Sequence, residues 1–486
     1  CTRGRVDAAV AIDEVKKFIA QRDLDAATRY VPPVVTPTRA GGFDQKIAII
    51  GAGPAGLSCA FYLAEKGYRP VVFEKNEHPG GMLTYGIPSF KLQKDVIEAE
   101  VEVIRLMGAE FRYGVEVGRD VTLDELRAQG FKAFYVAIGC QGGRLAGIPG
   151  EDAEDVTVAV DFLREVNSGK IDALPGRTIV VGGGNVAIDV ARNACRLGSE
   201  HVEMFCLESE AQMPASEEER REAVEDGAHI SCGWGPKEIH LDEAGRVCGI
   251  TFKRCTRVFD DEGRFAPEYD ENDLRRVDAD RVVMSIGQSI VWGDLLAGSK
   301  VELGRGQGAL ADPQTYQTAE PDIFVGGDVY TGPSFAIDAI AAGHEAAVSI
   351  HRFVQPGSTL TIGRNQRHYT ALDRDDVVIE SYDNASREVA HVDREREKAA
   401  PFSEYVETFT EEQVRAETAR CLGCGASIVD PNKCIGCGLC TTKCAFDAIH
   451  LDRDRPECST MVKYEQKLPS LGKYALKRAI KIKFGH

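Results

Sequence analysis

Apolar runs, glycine turns and amphipathic stretches repeat along this chain in an order that predicts two strand–turn–helix–strand units. The first begins at Lys46 with the apolar run KIAII, followed by a glycine turn, the helix LSCAFYLAEKG and the strand PVVFEK. The second contains RTIVV, another glycine turn, the helix NVAIDVARNACRLG and the strand HVEMFCLE. Two copies of the order strand–glycine turn–helix–strand in one chain indicate two doubly wound α/β domains.

The segments around these units have weaker patterns. Residues 1–43 contain a predicted helix, AAVAIDEVKKFIAQ, and a proline-rich connector, whereas residues 357–420 are charged and weakly periodic, which indicates a surface linker. The tail over 463–486 has seven Lys or Arg residues and one Glu, and Leu476, Ile480 and Phe484 recur at helical spacing. Such a tail would bind an acidic partner, a membrane surface or the acidic body of this chain.

Length and charge narrow the class of protein. A chain of 486 residues exceeds what one core supports, so two to four domains are expected. The net charge of −18 argues against nucleic acid as a partner, and no apolar run approaches the roughly 20 residues of a membrane span. Seven of the fifteen cysteines lie between Cys421 and Cys458, the others have no disulfide spacing, and no signal peptide is visible. A reducing, cytoplasmic location is therefore expected.

The most specific motif is the run KCIGCGLCTTKC, which holds Cys434, Cys437, Cys440 and Cys444. Its C-x2-C-x2-C-x3-C spacing is that of bacterial ferredoxins, in which four such thiolates ligate [4Fe–4S] clusters. A structural zinc site is the alternative, but it usually needs only paired C-x2-C units. We therefore expect a small α+β ferredoxin-like module over 421–462.

The sequence leaves open how many clusters this module holds. Two all-cysteine [4Fe–4S] clusters need eight thiolates, whereas the module has seven cysteines. One cluster on the four-cysteine run is predicted, with the remaining cysteines structural or zinc-bound. A second cluster is the alternative, and its ligands would be Cys421, Cys424, Cys444 and Cys458.

Each glycine turn carries a Rossmann-like dinucleotide-binding fingerprint. In the first, Gly51 permits the tight turn, Gly53 lets the backbone approach a pyrophosphate, and Gly56 lets the helix pack on the strand. Free N–H groups at the helix N-terminus then face the phosphates. Glu74 ends the next strand, where a carboxylate can hydrogen-bond a ribose hydroxyl. The predicted site also includes Pro54, Ala55 and Lys75.

The second turn is the variant G-x-G-x-x-A, which is accepted in such fingerprints. An acid, Glu208, again follows the next strand, where it would accept from a ribose 2′-hydroxyl and repel a 2′-phosphate. The predicted site of a nicotinamide coenzyme comprises Gly182, Gly184, Asn185, Val186 and Glu208.

Three further stretches carry a family resemblance. The sequences GGMLTYGIPSFKLQKDV over 80–96, GGGNVAIDVAR and QMPASEEE resemble the small (β) subunit of glutamate synthase. They are also similar to the large subunit of the NADH-dependent ferredoxin:NADP oxidoreductase and to the flavin-reducing half of dihydropyrimidine dehydrogenase. The resemblance covers about 1–355 and continues in ETARCLGCG. It implies an NAD(P) domain over 151–286 inserted into an FAD domain over 44–150 and 287–356.

The resemblance also implies particular site residues. The stretch Gly326-Gly327-Asp328 looks like a second FAD motif, in which the matching aspartate binds the ribityl or pyrophosphate region. The resemblance places Gly81, Met82 and Leu83 along the isoalloxazine. The other residues that it assigns to the cofactor sites are Gly139 and Gly287 at the crossovers between domains, and Ala336 in the helix after Asp328.

Coenzyme choice is predicted from a departure from the family pattern. Relatives often have Tyr-Arg-Arg, which holds the 2′-phosphate of NADPH, where this chain has Cys206-Leu207-Glu208. NAD(H) is therefore predicted over NADP(H). The alternative is that Glu208 points to solvent and another cation binds the phosphate.

Together these features imply an electron-transfer subunit that passes electrons between NADH and iron–sulfur clusters through FAD. It would serve an iron–sulfur-containing catalytic subunit or a ferredoxin within a larger redox enzyme, with no side chain acting as nucleophile or base. A stand-alone or electron-bifurcating NAD(P)H:ferredoxin oxidoreductase and a non-catalytic assembly subunit with vestigial sites are the alternatives. The start, CTRGRVDAAVAI, resembles the end of an N-terminal cluster domain of this family, so the true chain is longer or that domain has been lost.

Overall fold

The structure is a computed structural model, and it describes residues 1–35, 42–362, 364, 379, 382–424, 429, 432–444, 449–451 and 463–484. The chain divides into two compact units. The larger comprises Cys1–Arg364 and Ile379–Cys421, and the smaller takes in Leu422–His486.

The strands belong to the larger unit. In chain order they are β1 Lys46–Ile50, β2 Val71–Glu74, β3 Glu110–Tyr113, β4 Phe131–Val136, β5 Gly142–Gly143, β6 Val156–Val158, β7 Arg177–Val181, β8 His201–Cys206, β9 His229–Cys232, β10 Trp234–Leu241, β11 Val247–Phe259, β12 Phe265–Val277, β13 Arg281–Met284, β14 Gln288–Ser289 and β15 Ile323–Val325.

The helices occur in both units, and three 3₁₀ turns lie at Thr2–Arg5, Glu210–Gln212 and Arg305–Gln307. In chain order the helices are α1 Ile12–Leu24, α2 Pro54–Glu65, α3 Met82–Tyr85, α4 Lys94–Leu106, α5 Leu123–Ala128, α6 Ala159–Asn167, α7 Asn185–Arg196, α8 Glu217–Glu225, α9 Asp328–Thr331, α10 Ala336–Val354, α11 Arg394–Ala399, α12 Glu411–Ala419, α13 Leu439–Lys443 and α14 Tyr464–Phe484.

The first sheet has the strand order β15-β4-β1-β2-β3, and all of its pairs are parallel. Apolar clusters cover both of its faces: Ile47 and Ile49 pack in one cluster with α2 and α10, and Ala48 and Ile50 pack in the other. Burial on both faces explains why the run KIAII has no polar alternation. The carboxyl ends of these strands therefore meet at one edge, where the glycine turn after β1 lies.

The second sheet has the order β6-β13-β7-β8-β9 and is also parallel. It is formed by residues between β4 and β15, so the chain leaves the first sheet, builds the second and returns. This confirms the predicted fold class of two α/β dinucleotide-binding domains, one inserted in the other. An antiparallel sheet, β10-β11-β12, was not predicted; its long hairpin strands Val247–Phe259 and Phe265–Val277 belong to the inserted domain.

The sequence predicts a surface linker over 357–420, but the described part of this range contains two helices. Residues 382–421, here called the strap, form helices α11 and α12. Within the larger unit, the strap buries its side chains Tyr405, Phe409 and Glu417. Their few apolar side chains are separated by charged ones, so the periodicity is weak. Ion pairs supply much of the attachment of the strap to the rest of the larger unit, and a hydrophobic pattern does not reveal them.

A buried charge cluster joins the strap to the N-terminus. Arg420 and Glu417 are 1% and 0% exposed and form an ion pair of 2.6 Å. Glu417 also accepts from the backbone N–H of Ala11 at 2.8 Å, and Arg3 donates to the Arg420 carbonyl at 3.2 Å. Arg420 extends the cluster by donating to Asp7 at 3.1 Å. The N-terminal segment is thereby held on the strap.

The smaller unit contains α13 and α14. Every described side chain of α14 is exposed, including Leu476, Ile480 and Phe484, which the helical spacing had placed together. Among the described residues, none of the helices combines the length and the apolar character that crossing a bilayer requires.

The buried pair leads to a stability prediction. Arg420→Met leaves the Glu417 carboxylate buried without its cation, and breaking such a pair costs about 3 kcal/mol or more. Amide hydrogen exchange over 1–11 and 382–420 should accelerate by on the order of 100-fold, because 1.4 kcal/mol is a factor of 10. Arg415→Met, which removes an exposed pair with Glu411, is the control and should change exchange less than about threefold. Equal exchange in the two variants would contradict the prediction.

Candidate functional site

The first glycine turn is built so that backbone, not side chains, faces the strand ends. Gly51 has φ +103°, and a Cβ there would lie 2.5 Å from the Ala137 carbonyl oxygen. A Cβ on Gly56 would collide with the Gly51 carbonyl oxygen, because α2 lies so close to the turn. Pro54 begins α2 at its first position, where a missing N–H costs nothing. The free amides of this helix end point into the space beyond the turn.

Glu74 is held at the end of β2 beside this turn. Its side chain is 3% exposed, and one carboxylate oxygen accepts from the Ala52 N–H at 2.8 Å. The other oxygen accepts from the backbone and side-chain nitrogens of Asn76 at 2.9 and 2.7 Å. These hydrogen bonds fix the carboxylate at the end of β2, where an acid accepts a hydrogen bond from a ribose hydroxyl in this class of site.

The return strand β15 brings a second set of residues to the same edge. Gly327 has φ +69°, and Asp328 begins the short helix α9; burial raises the pKa of the Asp328 carboxyl above its ordinary value. Helix α10 then begins at Ala336 and packs on α2. A Cβ on Gly343 would collide with the Ala55 carbonyl oxygen. Gly343 is not among the residues predicted from the sequence, where its only signal is a glycine within a helical pattern.

The segment after β2 forms the wall that faces the inserted domain. The Gly80 N–H donates to the Ala52 carbonyl at 2.7 Å, and Gly81, at φ +56°, lies against Gly53. Lys94 donates to the carbonyls of Leu83 and Ile87 at 3.0 and 2.5 Å. Helix α3 is therefore held directly over the first glycine turn.

The second glycine turn repeats the design of the first. Gly182 has φ +146°, and a Cβ there would collide with the Ser285 carbonyl oxygen. Helix α7 begins at Asn185, and its free amides face the same space. A Cβ on Gly183 would lie 2.8 Å from Cβ of Cys206 and 3.0 Å from Oε2 of Glu208. The Glu208 carboxylate thus lies over the turn.

One cavity of about 1220 Å³ joins the two turns. All residues predicted to bind a cofactor line this cavity except two. Gly56 lies where α2 packs closely on the turn, and Lys75 lines a small neighbouring cavity. Two glycine turns, two free helix ends and two carboxylates meeting in one space suit two dinucleotides lying against each other. The predicted residues in the wall are Gly51, Gly53, Pro54, Ala55, Glu74, Gly81, Met82, Leu83, Gly139, Gly182, Gly184, Asn185, Val186, Glu208, Gly287, Gly327, Asp328 and Ala336.

The antiparallel sheet adds residues that sequence reasoning did not find. Trp234, Lys253 and Tyr269 line the cavity together with Glu208. The Lys253 ammonium lies 2.8 Å from a Glu271 oxygen and 4.1 Å from the centroid of the Tyr269 ring. A cation of this domain therefore borders the same cavity, but it already has an acidic partner.

Cys140 and His344 are ionisable side chains held in packed surroundings. Cys140 is 1% exposed, and burial raises the pKa of its thiol to about 12, so it stays protonated at neutral pH. His344 stacks on Tyr62 with a centroid distance of 4.0 Å, which is a packing contact between α10 and α2.

The cysteine module is described only in part. Cys434, Cys437 and Cys440 are exposed and Cys444 is partly buried, with Gly436 and Gly438 at positive φ between them. Such turns suit a loop that wraps a cluster, and thiolate is the donor that iron–sulfur clusters use. Cys421 and Cys424 are also exposed, and Cys458 lies outside the described residues. No three His, Cys, Asp or Glu side chains of the described residues are gathered as a metal site, so the ligand set stays a prediction.

Comparison with known families adds an independent result. A family model described as pyridine nucleotide-disulphide oxidoreductase matches residues 45–343, and one described as a 4Fe-4S binding domain matches 427–450. These matches support FAD and a [4Fe–4S] cluster as cofactors.

Two curated relatives match most of the chain. The NADP(+)-dependent formate dehydrogenase subunit beta of Moorella thermoacetica is 34% identical over 87% of this chain, which spans 63% of that protein. The glutamate synthase [NADPH] small chain of Escherichia coli is 34% identical over 73% of this chain and 77% of its own length. The resemblance to glutamate synthase seen in the sequence motifs is thereby confirmed.

A solved structure has a similar fold. FprA of Mycobacterium tuberculosis in complex with NADPH matches 64% of this chain and 84% of its own, with a TM-score of 0.54 and 19% identity. At this identity the likeness concerns the fold alone.

The packing of α10 on α2 leads to a cofactor-retention prediction. Gly343→Ala forces the two helices apart, because its Cβ would also lie 2.8 Å from Cβ of Ser58, and such overpacking costs about 1–3 kcal/mol. The variant should purify with a lower ratio of FAD to protein, measured by flavin absorbance. Gly472→Ala, another helical glycine with nothing near its Cβ position, is the control. Full FAD retention by Gly343→Ala would show that the helix contact does not support the site.

Proposed function

Because the chain belongs to the pyridine nucleotide-disulphide oxidoreductase family, we propose that it passes electrons between a nicotinamide nucleotide and iron–sulfur clusters through FAD. The observation that carries this proposal is the single cavity joining the two glycine turns. Hydride transfer requires the reacting atoms to be about 3–3.5 Å apart, and a shared space allows that contact without an intermediate carrier.

We assign FAD to the first turn and the nicotinamide coenzyme to the second. The amides at the α2 N-terminus would bind the FAD pyrophosphate, Glu74 a ribose hydroxyl, and Asp328 the ribityl or pyrophosphate region. Bound FAD would exchange a hydride with the nicotinamide and single electrons with clusters. Gly81, Met82 and Leu83 would cover the ring, and helix α3 would keep it away from water.

The [4Fe–4S] module and the relatives support a role as a subunit. Cys434, Cys437, Cys440 and Cys444 would hold one cluster, which would exchange electrons with an iron–sulfur subunit or a ferredoxin. The two relatives are named as a subunit beta and a small chain. An electron-transfer subunit of a larger redox enzyme is therefore the function we propose, in a cytoplasmic setting and without a nucleic-acid partner. Intact glycine turns around an open cavity argue against a vestigial, non-catalytic site.

For the coenzyme we propose NAD(H), although both of these relatives are named for NADP(+) or NADPH. The support is local: the Glu208 carboxylate lies over the second turn, where a 2′-phosphate would meet a like charge. Lys253, which lines the same cavity, is paired with Glu271. A ribose 2′-hydroxyl would instead donate to Glu208.

The coenzyme prediction is tested by anaerobic stopped-flow reduction of the flavin. The wild-type protein should be bleached by NADH at least about tenfold faster than by NADPH at equal low concentration, a preference worth about 1.4 kcal/mol. Glu208→Gln removes the repulsion and should narrow that ratio, whereas Glu243→Gln on an exposed turn should not. Faster bleaching by NADPH would overturn the NAD(H) assignment and leave the relay intact. No bleaching of FAD-loaded protein by either coenzyme would overturn the relay itself.

The cluster count is tested by iron analysis of anaerobically purified protein. One cluster predicts about four irons per FAD and two clusters predict about eight. Cys437→Ser should lose most of this iron together with the visible absorbance of the cluster, because it removes a thiolate from the four-cysteine run. Cys248→Ser, in strand β11, should keep it. Unchanged iron in Cys437→Ser would remove this residue from the ligand set.

A further inference from the structure

An ion pair crosses from one dinucleotide-binding domain to the other. Lys91 lies in the loop between α3 and α4 of the first domain, and its ammonium is 2.6 Å from a carboxylate oxygen of Asp189 on α7. The same ammonium also pairs with Glu219 on α8. The three side chains are only 22%, 15% and 24% exposed. One cation of the first domain thus sits between two acids of the inserted domain.

The bridge reaches the cavity wall through Asp189. Asp189 lines the cavity one helical turn after Asn185, the first residue of α7. Leu83 and Ile87 line the same cavity, and their carbonyl oxygens accept hydrogen bonds from Lys94. Lys94 therefore braces the flavin-side wall, and Lys91, three residues earlier, ties that wall to the helix of the coenzyme site.

A second contact supports the same alignment. Phe90, which is 3% exposed, lies beneath the guanidinium groups of Arg192 and Arg196 at 4.8 and 4.2 Å from its ring centroid. Arg192 donates to the Tyr405 hydroxyl at 2.8 Å, and Arg196 pairs with Glu397 at 2.8 Å. The loop that holds Phe90 and Lys91, helix α7 of the inserted domain and the strap are thereby joined at one place.

We propose that Lys91 is a positioning residue for hydride transfer: its bridge to Asp189 and Glu219 sets the separation between the coenzyme helix α7 and the flavin-side wall. The inference rests on the proposed function, since it concerns the distance between the two bound rings. A displacement of about 1 Å between reacting groups can cost on the order of 100-fold in rate. A loop contact outside the glycine turns would thus affect the rate of reduction without binding either dinucleotide.

The charged groups around Asp189 decide the pH at which the bridge exists. Burial raises the pKa of its carboxyl to about 6, Glu219 adds to the rise, and Lys91 and Arg192 oppose it. Lys94 also faces it, and burial lowers the pKa of that ammonium to about 8. The Asp189 carboxyl is therefore charged at neutral pH and neutral well below pH 6, so acidification breaks its pair with Lys91.

The test compares Lys91→Met with Lys91→Arg in the FAD-loaded protein of 486 residues. Lys91→Met should lower the limiting rate of flavin reduction by NADH by about 10- to 100-fold, with FAD content and the NADH dissociation constant changed less than about threefold. Lys91→Arg, which keeps the cation, should recover most of that rate. Lys17→Met is the matched control, because Lys17 bridges α1 to Glu404 of the strap at 2.7 Å and neither residue lines the cavity.

Hydrogen exchange supplies a readout that does not depend on turnover. Without coenzyme, Lys91→Met should speed amide exchange in α7 and in residues 81–94, and Lys91→Arg should not. If wild-type FAD is reduced by neither NADH nor NADPH, the proposed function fails while this measurement still tests the bridge. Unchanged exchange and an unchanged limiting rate in Lys91→Met would overturn the inference, as would a rate loss that only follows loss of FAD.

The pH profile gives a second check. In the wild-type protein the limiting rate of flavin reduction should fall as the pH drops through about 6, since the Asp189 carboxylate is protonated there. Asp189→Asn should have a low rate above that pH and lack the transition. An identical acidic transition in Asp189→Asn would assign it to another group and contradict the role of the bridge.

Discussion

Close approach of backbone to ligand at two strand ends is the constraint on which the rest of this structure depends. A pyrophosphate binds through free amides at a helix N-terminus, and that requires a turn without side chains between strand and helix. At Gly51, Gly56 and Gly182 a single added Cβ would meet backbone carbonyl oxygens. Parallel sheets satisfy this requirement, because they place strand ends and helix starts along one edge.

Insertion of one such domain into the other converts two separate sites into one cavity. The chain leaves the first sheet after β4 and returns to it at β15, directly beside the strand that it left. The inserted sheet is therefore tethered at both ends, and its glycine turn opens toward the first. Two tethers alone would allow rotation, and the bridge from Lys91 to Asp189 and Glu219 restrains it.

Buried ion pairs, together with a few buried aromatic side chains, attach the outer parts of the larger unit. The strap holds the N-terminal segment through Arg420 and Glu417 and the inserted domain through Glu397 and Tyr405. Buried pairs of this kind are costly to break, because each partner would be left without compensation. The strap thus contacts the N-terminal segment and the inserted domain through side chains that do not line the cavity.

The sequence by itself determined the local elements of this protein: the two glycine turns, the acids Glu74 and Glu208 after the following strands, and the cysteine run. These are short-range patterns, in which turn geometry, helix start and ligand spacing are set by adjacent residues. The tertiary structure decided which residues far apart in the chain meet. Gly343 against Ala55, Lys91 between two acids of another domain, Lys253 in the wall of the same cavity as Glu208, and the folded strap all depend on how sheets and helices pack. No periodicity encodes such contacts, because a long-range ion pair or a close helix crossing involves single residues whose neighbours in sequence look ordinary.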